Sequence, residues 1–456
     1  MSILWTMNYR KNRLNFKKIH FVGIGGVSMS ALAHFALNKG CIVSGSDLAL
    51  NDYTDNLAKK GAKIYAGHEA KNAENVDLLV YNSAVKSNNP ELLYGKKNTK
   101  VIERNRFLKI ISDNYKKVIA VSGSHGKTST SALISEIFYK CGKHPGMHIG
   151  GDSNFFNSNY QIGKPSFFIT EACEYKRNFL TLTPDIAIIL NIDEDHPDYY
   201  KDLNDIKDAF YSFSKNTNKN GSIIINADDN NSDIFPKYAV KIGIDNKAHY
   251  HAKNIKYEND KYSFDVFKKN KYIGRIKLSV YGYHNIYNAL FGFAAADICN
   301  LKTEKVIEAI SDFKGVYRRF ENIGMINCAK VISDYAHHPR EIAGTISNAL
   351  TIDKNVTCVF QSHTYSRTKK FLLDFAKCFK DCNLILTDIY AAREEYDENV
   401  LNDLIIECKN YTNKVNYVKD YEVFDYLQKN IKDGIILILG AGDLHFTVLN
   451  ALKNNR

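Results

Sequence analysis

The segment GSHGKTST (123–130) sets a lysine and several hydroxyls among glycines, after the apolar run KVIAV (117–121) and before the helix-like SALISEIFYK (131–140). That strand–loop–helix context is what a phosphate loop requires. Gly123 and Gly126 let the backbone wrap a polyphosphate, and Ser124, His125 and Ser129 lie in the same candidate phosphate loop. Lys127 is placed to neutralise the β- and γ-phosphates, and the Thr128 hydroxyl to hold magnesium. The spacing GxxGKT is shorter than the GxxxxGK[ST] of common nucleotidases, which points away from them. A Gly/Ser-rich turn with a chance lysine is the plain alternative.

Two more polar groups follow strand-like runs of the same section. Glu171 closes SFFIT, and His196 lies in NIDEDHPDYY (191–200), just after DIAIIL. The carboxyl ends of parallel strands face one crevice, so an acid and a neutral imidazole there can ligate a divalent ion. Either alone reads as an ordinary loop residue. Asn285 and Asn288, spaced i, i+3, share a helix face and can offer an acceptor and a donor to adenine, although Asn285 also suits a helix N-cap. Arg318 and Arg319, in GVYRRF (315–320), could reach a γ-phosphate upon domain closure, or serve as a charged linker.

Further along, SDYAHHPREI (333–342) places Asp334, Tyr335, His337 and His338 after a strand, and FQSHTYSRT (360–368) does the same with His363 and Arg367. Arginine is the natural clamp for a carboxylate. Adjacent histidines on a turn rarely converge on one metal, so substrate contact is the better reading. Near the N-terminus, GIGGVSMS (23–30) joins the strand KIHFV (18–22) to a helix-like segment and sends backbone N–H groups toward a phosphate. Asp47 ends the next strand, where a dinucleotide fingerprint puts its acid. Ser28 replaces the third glycine of that fingerprint and no hydride-transfer pair presents itself. A diphosphate fits better than NAD.

The elements that must position these groups repeat one pattern three times: an apolar β-rich run, a small-residue turn, then an amphipathic stretch. That is parallel α/β architecture. In the first section the strands are KIHFV, CIVSGSD (41–47), AKIYA (62–66) and DLLVYNSA (77–84). The second has KVIAVSG, SFFITEA, DIAIILNID and IIINADD (223–229), then antiparallel-like segments such as KYSFDVF (261–267) and the helix-like HNIYNALFGFAAADIC (284–299). The third has KVISDYA (330–336), VTCVFQS (356–362), LILTDIY (384–390) and IILILGAGD (435–443). A length of 456 residues agrees with three domains at about 100–200 residues each.

Composition is ordinary for a globular chain, 45% apolar and 24% charged. No apolar run approaches the roughly 20 residues of a membrane span. Residues 1–15 read as an extension rather than a secretory signal, because the basic residues follow the apolar stretch. Nine scattered cysteines without metal spacing indicate reduced thiols and a cytoplasmic setting, with Cys378 and Cys382 as packing residues. The net charge of +11 is spread along the chain, which favours a solvated surface or a polyanionic small substrate over nucleic acid.

Taken in order, GIGGVSMSALA, GSHGKTST, EACEYKRNFL, NIDEDHPDYY, HNIYNAL, YRRFE, SDYAHHPREI, FQSHTYSRT and LGAGD resemble the muramyl ligases over residues 18–443. The resemblance implies three α/β domains: a Rossmann-like UDP-substrate-binding domain (16–114), a central P-loop ATPase-like domain (115–316) and a Rossmann-like amino-acid-binding domain (317–456). It implies an ATP-dependent ligase of peptidoglycan precursor synthesis using UDP-N-acetylmuramate, L-alanine and two magnesium ions, cytoplasmic, a monomer or weak homodimer. Gly23, Gly25, Gly26, Ser28, Asp47 and Ser83 would hold the UDP substrate. Lys127, Glu171, His196 and Arg319 would be catalytic, with Thr128, Glu171 and His196 on the metal. Asn285, Asn288, Arg319 and Asp334 would complete the ATP site, and Tyr335, His337, His363 and Arg367 the amino-acid pocket. Two rivals are a ligase for a preformed peptide and a nucleotide-gated regulator without turnover. The intact set Lys127, Glu171, His196 and Arg319 counts against the regulator.

Overall fold

The computed structural model describes residues 16–196, 199–392, 394–412 and 414–454. The 1–15 extension lies outside these described residues. The chain forms three sheets, distributed over two compact units: one built mainly from the first 255 residues with 264–277 and 286–314, the other mainly from 315 onward with 256–263 and 278–285.

The first unit carries two sheets. In the first, the order is Lys63–Ala66, Ile42–Asp47, Lys18–Val22, Leu78–Tyr81, Lys100–Glu103, all parallel. Chain direction from Lys18–Val22 reverses sides in this order, creating the switch point beyond the strand carboxyl ends where open α/β sheets bind ligands. In the second, ten-stranded sheet, Lys117–Ser122 lies between Ile186–Ile189 and Phe167–Glu171, parallel to both. These strands read IAII, KVIAVS and FFITE. Such near-continuous apolar runs are what a strand covered on both faces needs.

One core serves both sheets. It runs from Ile19, Phe21 and Phe35 through Phe107 and Phe168 to Phe210 and Phe213, each at most 2% exposed. Phe35 meets Phe168 edge-on at 5.7 Å, and His34 stacks on Tyr160 at 4.4 Å. Burying a large aromatic chain contributes roughly 1.5–3 kcal/mol, so these contacts bind the first sheet firmly to the second.

In the second unit six strands run in the order Glu321–Ile326, Ala329–Asp334, Ile435–Leu439, Val356–Phe360, Asn383–Leu386, Val415–Tyr417. The first pair is antiparallel and the rest parallel. Phe360, Phe375 and Phe379 fill one face, and Val331, Val359 and Ile438 the other. Cys378 is half-buried and Cys382 buried, and the Cys382 thiol lies 3.4 Å from that of Cys358. No described helix is long and apolar enough to cross a membrane.

Candidate active site

The phosphate loop leaves Lys117–Ser122 through Gly123, at φ +147°, and enters the helix Lys127–Lys140 through Gly126, at φ +84°. A Cβ on Gly123 would stand 2.9 Å from that of Leu190, so both conformation and space demand glycine. Neighbouring strand ends fix the loop. The Ser124 N–H donates to the Asn191 carbonyl (3.1 Å), and the His125 N–H donates to Asn191 Oδ1 (2.8 Å). The Asp193 N–H donates to Ser124 Oγ (2.8 Å), and His125 Nε2 lies 3.1 Å from Asp193 Oδ2. Thr128 is buried in the first turn beside Ser129, while the Thr130 hydroxyl donates to Asn288 Oδ1 at 2.9 Å.

Lys127 is tied down from three sides. Its ammonium donates to the carbonyls of Gly123 (2.5 Å) and Ser124 (3.1 Å) and to Glu174 Oε1 (2.9 Å). Burial pulls the lysine pKa down, but the Glu174 carboxylate outweighs it and the ammonium is held above its ordinary range. Glu174, 2% exposed, is in turn held below the usual carboxylate range, because Lys127 and His196 outweigh burial. His196, at φ +52°, places Nε2 3.5 Å from Glu174 Oε1 and 3.7 Å from Asp195 Oδ2. Glu174, Asp195 and His196 each offer a ligand atom within 4.8 Å of the others. The second oxygen of Glu174, Oε2, is buried without a hydrogen-bond partner.

Glu171 ends its strand as expected, and its Oε1 accepts the Gly150 N–H at 2.5 Å. His196 therefore meets Glu174, three residues beyond Glu171. Sequence reasoning passed over Glu174. The repeat of acids in EACE was the available signal, but the turn that aims the second one contains Lys176 and Arg177 in left-handed conformations, which their residue types do not announce.

At the first sheet, the turn after Lys18–Val22 holds Gly23, Gly25 and Gly26, with Gly26 at the N-cap of the helix Val27–Asn38. The Gly25 N–H donates to Asp47 Oδ2 at 2.8 Å, so the acid at the end of Ile42–Asp47 braces the turn. A Cβ on Gly25 would come within 3.0 Å of that oxygen. Ser83 is half-buried in the turn after Leu78–Tyr81, where its neighbour Asn82 reaches toward Gly23. Ser28 Oγ lies 2.8 Å from His148 Nε2 and accepts a hydrogen bond from Arg104 Nη1 at 3.0 Å.

In the second unit, Arg318 is committed to structure. Its Nη2 donates to the carbonyls of Gly440 and Gly442, each at 2.9 Å. Arg319 lies over the Tyr335 ring at 5.0 Å. Asp334 accepts the Ala336 and Phe320 N–H groups, each at 2.8 Å; burial pushes its pKa up to about 6 against the pull of Arg319. His337 sets Nδ1 3.0 Å from the Tyr335 carbonyl, and burial lowers its pKa to about 4, with Arg367 and His363 adding to the effect. The His337 and His363 rings are 5.8 Å apart, and His363 stacks on Tyr390 at 5.6 Å. Arg367 projects from the short helix Tyr365–Lys370. The structure thus brings His337, His363 and Arg367 into one cluster. His338 caps the helix Pro339–Ile352 instead. The side-chain amide of Asn285 donates to the Tyr281 carbonyl at 2.6 Å.

A nucleotide-handling α/β enzyme is the class these three sheets and their loops describe. Family profiles for the Mur ligase family catalytic domain, the Mur ligase middle domain and the Mur ligase glutamate ligase domain match residues 18–116, 121–296 and 318–442. The chain belongs to the Mur ligase family. It is 44% identical over 446 residues to a UDP-N-acetylmuramate–L-alanine ligase of Clostridium botulinum, covering 94% of this chain and 96% of the relative. A protein of the same name from Clostridium tetani is 44% identical over 441 residues, with the same coverage of each chain. Among solved structures, the UDP-N-acetylmuramate–alanine ligase of Thermotoga maritima superposes with a TM-score of 0.83 at 27% identity, covering 96% of this chain and all of that one. A murein peptide ligase of Psychrobacter arcticus shares the fold at a TM-score of 0.75 and 24% identity, covering 96% of this chain and 99% of its own.

Proposed function

We propose that this chain is an ATP-dependent ligase that joins L-alanine to the lactyl carboxylate of UDP-N-acetylmuramate, releasing ADP and phosphate, in the cytoplasmic synthesis of peptidoglycan precursor. The observation that carries this reading is 44% identity to ligases of that name along nearly the whole of both chains. The substrate carboxylate attacks the γ-phosphate of ATP and ADP departs. The alanine amine then attacks the acyl phosphate and phosphate leaves.

The division of labour follows the three parts 16–114, 115–316 and 317–456. Gly23, Gly25 and Gly26 cradle the diphosphate of the substrate, with Asp47 bracing them and Ser28 and Ser83 beside them. Ser124, His125, Gly126, Lys127 and Ser129 wrap the ATP phosphates; Asn285 and Asn288 meet adenine. Lys127 and Arg319 spread the charge that gathers during phosphoryl transfer, where positioning and charge stabilisation do most of the work. Asp334, fixed by two backbone N–H groups, faces the nucleotide. Tyr335, His337, His363 and Arg367 receive the amino acid.

Magnesium fits the residues present. A buried carboxylate oxygen without a partner, on Glu174, sits beside His196, and Thr128 offers its hydroxyl in the loop helix. Thr128, Glu171 and His196 are the proposed ligands for two ions, and Glu174 would add its unpartnered oxygen beside His196. Bound there, a divalent ion supplies Lewis-acid polarisation of phosphoryl oxygens. Phosphate release with UDP-N-acetylmuramate, ATP and a panel of L-alanine, glycine, L-serine and short peptides tests the proposal. L-alanine should support the highest kcat/KM. Release only with a peptide would overturn it in favour of a peptide ligase.

A further inference from the structure

Arg104 opens the helix Arg104–Ser112 directly after the strand Lys100–Glu103. That strand is parallel to Leu78–Tyr81, itself parallel to Lys18–Val22. Arg104 therefore stands at the same carboxyl edge of the first sheet as the glycine turn. It is half-buried, yet among the described residues no carboxylate pairs with it; its guanidinium donates instead to the neutral Ser28 hydroxyl at 3.0 Å. A partly desolvated guanidinium has five donors and a permanent charge, and one hydroxyl satisfies neither.

The surroundings fix where that charge points. Ser28 accepts from Arg104, so its own proton is free for His148 Nε2, 2.8 Å away. Burial, with Arg104 adding to it, lowers the His148 pKa to about 3, so the ring is neutral and can accept. Its other nitrogen, Nδ1, lies 3.2 Å from Thr170 Oγ1, which donates to the Glu171 carbonyl at 3.0 Å. This chain of defined polarity holds Arg104 and Ser28 in place at the first turn of the helix Val27–Asn38. That turn contains no acidic residue, and Gly26 at its N-cap has no side chain to cap its N–H groups, so they and Arg104 present positive charge together.

We propose that Arg104 is a substrate-binding residue whose guanidinium contacts the diphosphate of the nucleotide-linked substrate at the Gly23–Gly26 turn. The proposal rests on the function given above and extends its binding site by a residue from a different strand. Serine in place of a third glycine then has a use, since its hydroxyl orients the arginine. The lactyl carboxylate is the other anion of the same substrate, and UDP, which lacks it, separates the two.

The test is calorimetric binding of UDP and of UDP-N-acetylmuramate to the full chain and to Arg104→Gln, Arg104→Lys and Ser28→Ala. Loss of a charged hydrogen bond corresponds to about 10- to 150-fold in affinity. Arg104→Gln should lose that much for both ligands, Arg104→Lys less, and Ser28→Ala least, with the KM for ATP unchanged. A loss in Arg104→Gln accompanied by a raised KM for ATP would mean that the substitution disturbs the whole unit, and would overturn the contact. So would a loss confined to UDP-N-acetylmuramate, or unaltered affinity for UDP in Arg104→Gln. Wild-type protein that binds neither ligand would overturn the proposed function and this residue with it; a wild-type that binds while the variants match it overturns Arg104 alone.

Discussion

Replacing Glu174 by glutamine keeps the shape of the side chain and removes the charge that compensates Lys127. The ion pair is 2.9 Å long, with the lysine side chain 16% and the glutamate 3% exposed. At an effective dielectric of about 20, two unit charges at that separation attract by about 6 kcal/mol. Desolvation offsets much of this, and removing one partner of a buried pair typically costs about 3–5 kcal/mol. Lys127 keeps its bonds to the Gly123 and Ser124 carbonyls, which places Glu174→Gln near the lower end, about 3 kcal/mol. Lys127→Met alone strands the carboxylate and should cost a similar amount. The double variant removes both charges and should cost less than the two singles summed, by about 2 kcal/mol or more. Hydrogen exchange of the amides in 117–140 reads the local opening energy in each variant without assuming that three sheets unfold together. Saturating ATP should shrink the Glu174→Gln deficit, because its phosphates supply the missing anion. If the single losses simply add, the carboxylate does not compensate the ammonium, and the proposed role of Glu174 is wrong.

Three further outcomes follow from the same geometry. Glu171→Gln and His196→Ala should each slow acyl-phosphate formation, followed as ADP release, while a change confined to the apparent KM for alanine would remove them from the metal. Arg367→Lys keeps the charge but loses the planar fork, so kcat/KM for alanine should fall by roughly 1.5–3 kcal/mol equivalent with nucleotide affinity unchanged; an unaltered alanine titration would exclude it. For pH, burial lowers the pKa values of His284, His337 and His445 to about 4. Unfolded histidines titrate near 6.5, so the unfolded unit takes up more protons, and stability should be full above about pH 6.5 and drop toward pH 4. Asp334, raised to about 6, and Glu321 and Asp420, also raised by burial, work in the opposite direction, so the histidine share is read from a variant against the wild type. The urea midpoint of the second unit should fall less toward pH 4 in His337→Asn than in the wild type; parallel profiles would contradict a buried neutral ring at 337.

The strands around the phosphate loop were legible because burial on both faces leaves a continuous apolar run, as in IAII and KVIAVS. Gly146–Ser153 escaped notice, since GMHIGGDS has neither a run nor an alternation, and the three-residue Val415–Tyr417 is too short to carry a pattern. The loop lysine was readable from spacing alone, whereas its partner was not. Glu174 reaches Lys127 only through a turn with two left-handed residues. Arg104 likewise gains meaning only when a fifth strand is placed on the same sheet edge as the first turn. His337, His363 and Arg367 were found as polar residues after strands, but their convergence depends on Ile435–Leu439 lying between the two strands that bear them.

The core shared by the first two sheets bears on how such an enzyme could be inhibited. Ser28 and His148, Tyr53 and Asp152 (3.0 Å), and Asn159 and the Val27 carbonyl (2.6 Å) stitch the substrate turn to the strands beside the phosphate loop. A compound that occupies both the proposed diphosphate turn and the proposed ATP loop would therefore span two anchor points on one preassembled body. Its linker could be rigid, cut to a single length, and would not have to wait for a domain to swing shut. The entropy that a flexible tether loses on binding would then be avoided at the design stage.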